Sequence, residues 1–272
     1  MLGERVIGFI GAGNMAEAMI RGLVTTGTVV PARIIVTNRE NRERLARLSW
    51  QYNIFTTPSK AELLARANVV ILAVKPKDIP EVLEAIRDLA RPDQVVISVA
   101  AGVPLARLEG ALPKISVVRT MPNLATSVAA SVTAMTYGSQ VRGEDRAVAR
   151  ALFEALGRVV EVSEELMDAI TALAGSGPAY VYRMMEAMTE AGANLGLPGD
   201  IALLLAAETV FGAAKLVRET GEDPRTLRQR VTSPGGTTMA GLQVLEERGF
   251  STTLVEAIAR AALRAKELAG GT

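Results

Sequence analysis

The sequence of 272 residues contains no cysteine and no histidine. Without cysteine the chain can form no disulfide, no thiolate metal site and no cysteine nucleophile. Without histidine it lacks the commonest general base, the usual catalytic triads and most zinc ligands. Any catalysis must therefore use hydroxyl groups, carboxylates, lysine, backbone dipoles or a bound cofactor, and we expect no metal site.

An excess of charge of one sign is also lacking, since 30 basic and 29 acidic residues give a net charge of +1. This balance provides no electrostatic footprint for nucleic acid or for an anionic membrane. The longest apolar segment, residues 201–217, contains Glu208 and Lys215 and is too short and alanine-rich for a membrane span. The N-terminus leads directly into an apolar run and does not resemble a signal peptide. These features predict a cytoplasmic enzyme that binds neither nucleic acid nor a membrane.

Apolar runs alternate with helical patterns up to about Val162. Glycine or proline follows several of these runs, as in parallel α/β sheets, and two runs, residues 131–135 and 158–162, are predicted to be edge strands. Beyond Val162 no strand-like run of any length remains. The sequence therefore predicts an α/β domain with a Rossmann-type doubly wound sheet at residues 1–162 and an all-helical domain at residues 163–272. Helices this apolar expose more surface than one subunit can cover, so we expect the helical domain to dimerise.

A glycine-rich turn follows the first apolar run, which ends at Ile10. Gly11, Gly13 and Ala16 match the pattern G-x-G-x-x-A between a strand and a helix, the context of a dinucleotide-binding fingerprint. Gly11 allows the tight turn, and Gly13 lets a pyrophosphate approach the backbone. Ala16 lets the helix pack closely on the strand.

The end of the second strand bears on the choice of dinucleotide. NAD sites usually carry a carboxylate there, whereas NADP sites often place an arginine there. Asn38 and Arg39 therefore favour NADPH, although Glu40 follows and weakens this preference. Arg39 can equally be a solvated residue at the start of the next helix.

Residues 231–238, with the sequence Val-Thr-Ser-Pro-Gly-Gly-Thr-Thr, are the most distinctive stretch of the helical part. Its proline and glycines end the preceding helix, and Thr237 or Thr238 can act as the N-cap of the next one. The first backbone N–H groups of a helix lack internal partners, so Gly236, Thr237 and Thr238 offer a pocket for a carboxylate or phosphate. The alternative is a well-capped turn between two helices.

A dinucleotide domain followed by a helical domain indicates an oxidoreductase that binds its substrate at the domain junction. The histidine that donates a proton in 2-hydroxy-acid dehydrogenases is absent, and neither Lys215 nor Lys266 lies in a glycine-rich, amide-bearing context. An iminium substrate needs no strong acid, because hydride attacks carbon and the amine keeps its proton. It does need a carboxylate anchor and a hydroxyl that orients the nitrogen, and Gly236, Thr237 and Thr238 offer both.

Several motifs occur in order over nearly the whole chain, at residues 9–16, 73–76, 119–123, 175–180 and 224–246. Together they resemble those of the pyrroline-5-carboxylate reductase family. The resemblance implies reduction of 1-pyrroline-5-carboxylate to L-proline, the last step of proline biosynthesis, with NADPH as cofactor and NADH as the alternative. It also implies homodimers formed through interleaved C-terminal helices and often assembled further into decamers, as pentamers of dimers.

The resemblance also assigns roles to residues. Thr238 would donate a hydrogen bond to the ring nitrogen, and Ser233 would shape the catalytic loop. The backbone N–H groups of Thr237 and Thr238, next to Gly236, would hold the substrate carboxylate. Glu164 would border the substrate, unless it is only a carboxylate at a helix start. The expected cofactor contacts are Gly11, Ala12, Gly13, Asn14, Met15, Asn38, Arg39, Lys60, Ala73, Val74, Lys75, Pro76 and Ala100.

Two positions depart from the family pattern, because Arg230 and Lys60 stand where asparagine is common. Both add positive charge, which either strengthens binding of a 2′-phosphate or faces solvent. Two other functions remain open: a reductase of a related cyclic imine acid or of a 3-hydroxy acid, and a non-catalytic NADP-binding scaffold that senses redox state.

Overall fold

The computed structural model describes residues 2–270. In that part of the chain the strands are β1 Ile7–Ile10, β2 Ile34–Thr37, β3 Phe55–Thr57, β4 Val69–Leu72, β5 Val95–Ser98, β6 Ser116–Met121, β7 Ser131–Tyr137 and β8 Gly157–Glu161. The α-helices are α1 Asn14–Thr25, α2 Arg42–Tyr52, α3 Lys60–Arg66, α4 Ile79–Ile86, α5 Leu105–Ala111, α6 Gly143–Glu154, α7 Met167–Ile170, α8 Gly177–Asn194, α9 Gly199–Thr220, α10 Pro224–Arg230, α11 Thr237–Glu247 and α12 Phe250–Gly270.

The strands form a sheet in the order β3-β2-β1-β4-β5-β6-β7-β8. The first six strands in this order pair in parallel, and 3-2-1-4-5-6 is the strand order of dinucleotide-binding sheets. The predicted Rossmann-type doubly wound sheet is confirmed. β7 runs antiparallel to β6 and parallel to β8, so it lies inside the sheet. The prediction that residues 131–135 form an edge strand is therefore wrong. The sequence of β7 marks it as a strand, but its neighbours are decided by packing.

Two apolar cores cover the two faces of the sheet. Successive residues of a strand point to opposite faces, so Phe9 enters one core and Ile10 the other. Helices α1, α2 and α6 contribute to the first core, and α3, α4 and α5 to the second. Both faces are covered, and strands β1, β2, β4 and β5 are therefore buried at every residue. This explains why their sequences are continuous and not alternating apolar runs.

The chain divides into two compact units. The first contains the sheet, runs up to Ser176 and takes in the chain again from Ala261 onward; the second comprises Gly177–Arg260. Strands end at Glu161, and only helices and turns follow in the described residues, as predicted. The division at Val162 marks this change of secondary structure, whereas the compact units divide after Ser176. The domain boundaries 1–162 and 163–272 therefore stay a prediction.

The second unit is built from helices that bury little of their own apolar surface. Within it α8 and α9 pack closely, since a Cβ at Gly192 would lie 2.9 Å from the Cβ of Ala202. Only Ala202 and Ala206 of the described α9 residues are buried. The larger apolar side chains of α9 are exposed: Leu203, Leu204, Leu205 and Phe211.

The predicted N-cap of α11, at Thr237 or Thr238, is wrong. The N-cap of α11 is Gly236, so Thr237 and Thr238 are the first two residues of the helix. Gly235 has a left-handed conformation, with φ of +69°, and the helix begins directly after its neighbour Gly236.

Candidate active site

The glycine turn lies where the strand order of the sheet reverses, between β1 and β4. Ile10 and Leu72 are paired at the carboxyl ends of these strands, and the Ala73 N–H donates to the Ile10 carbonyl at 2.9 Å. Gly11 has φ of +108°, and a Cβ there would lie 2.5 Å from the Ala73 carbonyl oxygen. Only glycine therefore fits at this position. Reversal points of this kind are where open α/β sheets bind ligands.

Gly13 has a different reason to be glycine. It is the N-cap of α1 in an extended conformation, and a Cβ there would meet only the Ala73 carbonyl oxygen, at 3.9 Å. The fold itself therefore leaves room for a side chain at this position. Among the described residues, no acceptor bonds the backbone N–H groups of Asn14, Met15 and Ala16. Together these features fit a dinucleotide pyrophosphate.

A cavity of about 220 Å³ opens beside the turn. Five of the predicted cofactor residues line it: Gly11, Asn38, Arg39, Lys60 and Val74. The others lie outside its lining, at the start of α1 or after β4 and β5: Ala12, Gly13, Asn14, Met15, Ala73, Lys75, Pro76 and Ala100. Further residues in the wall were not predicted, among them Pro58, Asp78, Glu81 and Val82.

Arg39, which was predicted to favour NADPH, is paired with two carboxylates. Arg39 Nη1 donates to both carboxylate oxygens of Glu81, at 2.8 and 2.7 Å, and Arg39 Nε donates to Glu40 at 2.9 Å. The hydrogen bond and charge of Arg39 lower the pKa of Glu81, and the charge of Lys60 lowers it further. Glu81 lies on α4, far from Arg39 in sequence, and no local pattern marks it. Its partner is visible only in the fold.

Glu164 belongs to a partly buried ion cluster in the first unit. It accepts hydrogen bonds from the guanidinium of Arg119 and, at 3.0 Å, from the Leu105 N–H. The Arg119 side chain is only 4% exposed and also faces Asp168, with Nη2 and Oδ1 3.7 Å apart. That separation is an ion pair beyond hydrogen-bond length. The cluster gives Glu164 a structural role, and its contact with substrate stays a prediction. Arg119 itself was not predicted as a site residue.

The loop before α11 presents donors in the second unit. The Gly236 N–H donates to the Ser233 carbonyl at 3.0 Å, and a Cβ at Gly236 would lie 2.4 Å from Ser233 Oγ. Within residues 2–270, no acceptor bonds the N–H groups of Thr237, Thr238 and Met239. Thr238 is half-buried, and its hydroxyl also makes no hydrogen bond within those residues. The loop therefore offers a set of donors to an anion, with a hydroxyl beside them.

Arg230, which ends α10, forms an ion pair within the second unit. Its two terminal nitrogens bond to the Glu222 carboxylate at 2.9 and 2.7 Å. This pairing accounts for the cation at a position where the family commonly has asparagine.

None of the described helices combines the length and apolar character needed to cross a membrane.

Two family models match the chain. Residues 164–268 match a model described as pyrroline-5-carboxylate reductase dimerisation. Residues 6–102 match a model described as NADP oxidoreductase, coenzyme F420-dependent. The first covers most of the helices beyond the sheet, and the second covers the glycine turn and the cavity beside it.

Named proteins and solved structures are similar along nearly the whole chain. Pyrroline-5-carboxylate reductase 2 of Bacillus subtilis is 40% identical over 96% of this chain and 94% of its own length. The Synechocystis pyrroline-5-carboxylate reductase is 43% identical over 96% of this chain and 97% of its own length. A structure of the Coxiella burnetii pyrroline-5-carboxylate reductase superposes with a TM-score of 0.85 at 40% identity and covers 97% of this chain and 98% of its own.

A Plasmodium falciparum pyrroline carboxylate reductase with NADP bound superposes with a TM-score of 0.90 at 25% identity, covering 98% of both chains. The sheet order, the glycine turn, the loop before α11 and these similarities all agree. The chain belongs to the pyrroline-5-carboxylate reductase family.

Proposed function

We propose that this chain reduces 1-pyrroline-5-carboxylate to L-proline, the last step of proline biosynthesis, with NADPH as cofactor. It is an NAD(P)-dependent oxidoreductase of the family to which its sequence belongs. One observation carries the proposal for this chain's own residues. The loop before α11 combines unpaired backbone donors with the hydroxyl of Thr238, as a cyclic imine with a carboxylate requires.

The first unit holds the dinucleotide. Gly11 and Gly13 leave room for the pyrophosphate, and the N–H groups of Asn14 and Met15 donate to it. When bound, the reduced nicotinamide supplies the hydride. Ala12, Ala73, Val74, Lys75, Pro76 and Ala100 complete the proposed contacts.

The adenosine end of the dinucleotide decides between NADPH and NADH. Asn38, Arg39 and Lys60 line the cavity beside the turn and bring two cations to it. A 2′-phosphate carries negative charge that suits this pair, and a similar structure has NADP bound. Glu81 competes with the phosphate for Arg39. We therefore propose NADPH as the preferred cofactor and NADH as the alternative.

The second unit holds the substrate. The Thr237 and Thr238 N–H groups bind the carboxylate. The Thr238 hydroxyl donates to the lone pair that develops on the ring nitrogen as hydride reaches the neighbouring carbon. Ser233 Oγ leaves no room for a side chain at Gly236, which keeps the backbone open to the carboxylate. No general acid is needed, because the iminium nitrogen arrives protonated and keeps its proton as hydride reaches carbon. The contact of Glu164 with the substrate stays a prediction.

The helical part is proposed to form a homodimer, and the dimers to assemble into decamers. Residues 164–268 match a dimerisation model, which supports oligomerisation in general. The exposed leucines of α9 support a contact between copies of this chain. A cytoplasmic location stays a prediction.

The proposed reaction is tested by following NADPH oxidation with three substrate classes: pyrroline-5-carboxylate, its six-membered imine homologue and 3-oxo acids. We expect turnover with the five-membered ring to exceed the other two. Faster turnover with the homologue or with a 3-oxo acid would establish one of the related reductases instead. NADPH binding without turnover on any imine would establish the redox-sensing scaffold.

The cofactor preference is tested by Arg39→Asp. This change places a carboxylate where NAD sites hold the ribose 2′-hydroxyl, and it repels a 2′-phosphate. We expect the ratio of kcat/KM for NADPH to that for NADH to fall about tenfold or more. The matched control is Arg42→Asp, the same charge change at an exposed position outside the cavity lining. If this ratio falls equally in both variants, or does not fall in Arg39→Asp, then Arg39 does not bind the 2′-phosphate.

A further inference from the structure

Arg44, on α2, bonds to the carbonyl of the glycine turn. Its Nε donates to the Ala12 carbonyl oxygen at 2.9 Å, and its Nη2 donates to Glu17 on α1 at 2.5 Å. The Arg44 side chain is only 22% exposed. One planar guanidinium thus joins the turn, α1 and α2, which a lysine with its single ammonium cannot reproduce.

The bond to Ala12 orients a whole peptide unit. The structure describes no cis peptide bond, so the Ala12 carbonyl and the Gly13 N–H point in opposite directions from the same planar group. Holding the carbonyl toward Arg44 therefore holds the Gly13 N–H away from it. No acceptor in the described chain bonds this N–H, and the glycine leaves space around it. Rotation of this peptide would instead present a carbonyl oxygen to an incoming anion.

Arg44 also neutralises the carboxylate of Glu17. Glu17 lies in the first turn of α1, where an uncompensated carboxylate would repel a phosphate. Arg44 and Arg47 both donate to its Oε2, at 2.5 and 2.7 Å. Burial raises the pKa of Glu17, but the hydrogen bond of Arg47 and the charges of both arginines outweigh it, and the pKa is lowered. The carboxylate is thus ionised and neutralised by the two cations.

We propose that Arg44 is a positioning residue for the dinucleotide pyrophosphate. It fixes the Ala12–Gly13 peptide so that the Gly13 N–H is presented as a donor, and it shares the neutralisation of Glu17. The inference rests on the proposed function of the glycine turn as the NADPH site. Arg47 also donates to Glu17, but its hydrogen bonds go to Gln51 and Glu17 and none goes to Ala12, so it provides a matched control.

The test compares Arg44→Gln with Arg47→Gln. We expect the Kd and the KM for NADPH to rise about tenfold or more in Arg44→Gln, the scale of a lost charge-assisted hydrogen bond. In Arg47→Gln both constants should change less than about threefold. The KM for pyrroline-5-carboxylate and kcat at saturating NADPH should stay close to wild type in both. The inhibition constant of adenosine 2′-monophosphate, which lacks the pyrophosphate, should be unchanged by Arg44→Gln.

Four outcomes would overturn the inference. Three are an equal loss of NADPH affinity in both variants, a matching loss of adenosine 2′-monophosphate affinity, and full rescue by Arg44→Lys. Thermal unfolding of each variant identifies a folding defect, and a loss of NADPH affinity that merely followed a lower Tm would also count against it. If wild type itself fails to bind NADPH, the proposed function fails first, which is a distinct result.

Discussion

The role open to the Thr238 hydroxyl depends on where Thr238 lies relative to the start of α11. As an N-cap its hydroxyl would bond to the backbone of its own helix. In the structure Gly236 takes that position, and the hydroxyl of the half-buried Thr238 has no hydrogen-bond partner in the described residues. A hydroxyl that does not cap the helix is available to a ligand. The two glycines of the glycine turn also differ, since the fold requires a glycine at position 11, whereas at Gly13 it leaves room for a side chain, and that room is proposed to admit the pyrophosphate.

The hydroxyl of Thr238 can be removed with little change of side-chain shape. Thr238→Val keeps the shape but removes the donor, and we expect kcat to fall by about one to two orders of magnitude, as for loss of an oriented donor. Thr238→Ser keeps the hydroxyl and should retain most of the activity. NADPH affinity should hardly change in either variant. Steady-state kinetics with both substrates measures this, and weakened NADPH binding with normal turnover would refute the role.

Close approaches between elements are set by small residues in their interfaces. Gly22, in the middle of α1, faces the 3₁₀ turn Leu124–Val128. A Cβ at Gly22 would lie 2.2 Å from the Thr126 carbonyl oxygen, which is backbone and cannot move without displacing the turn. The glycine therefore determines how closely this turn can pack on the helix that follows the dinucleotide loop.

We expect Gly22→Ala to destabilise the protein by about 2–3 kcal/mol through overpacking. The matched control is Gly110→Ala in α5, where a Cβ would meet no atom within 4 Å. There the higher helix propensity of alanine should stabilise by up to ~1 kcal/mol. Chemical denaturation of both variants measures the difference. Equal stability of the two variants would show that the turn at Thr126 moves at little cost.

Over the whole molecule, the exposed apolar surface is concentrated on the helices of the second unit. Leu203, Leu204 and Leu205 are each more than half exposed in one subunit. Single exposed leucines are ordinary, but a row of them on one helix marks an association surface. The match of this region to a dimerisation model agrees with that interpretation.

We therefore expect Leu204→Glu to shift the protein toward the monomer, because the charge would be buried without a partner in the dimer. The control is Leu89→Glu, the same substitution at an exposed leucine of the first unit. Sedimentation velocity over a range of concentrations measures the shift. An unchanged sedimentation coefficient for Leu204→Glu would place the interface elsewhere.

The sequence by itself determined the features that depend on local backbone geometry and on composition. The glycine turn, the apolar strands and the change to helices after β8 are local patterns of dihedral freedom and burial, and the structure shows each of them. The lack of histidine and cysteine also limited the chemistry before any fold was known. The family motifs include the loop before α11, which is therefore also visible in the sequence.

Only the tertiary structure decided which side chains meet. Glu81 pairs with Arg39, Arg44 with the Ala12 carbonyl, and Arg119 with Glu164, across separations in sequence of 42, 32 and 45 residues. The position of β7 inside the sheet was decided in the same way. Side-chain patterns record whether a residue is buried or exposed, but a charge partner depends on how separate elements pack. For that reason these three contacts appear only in the folded chain.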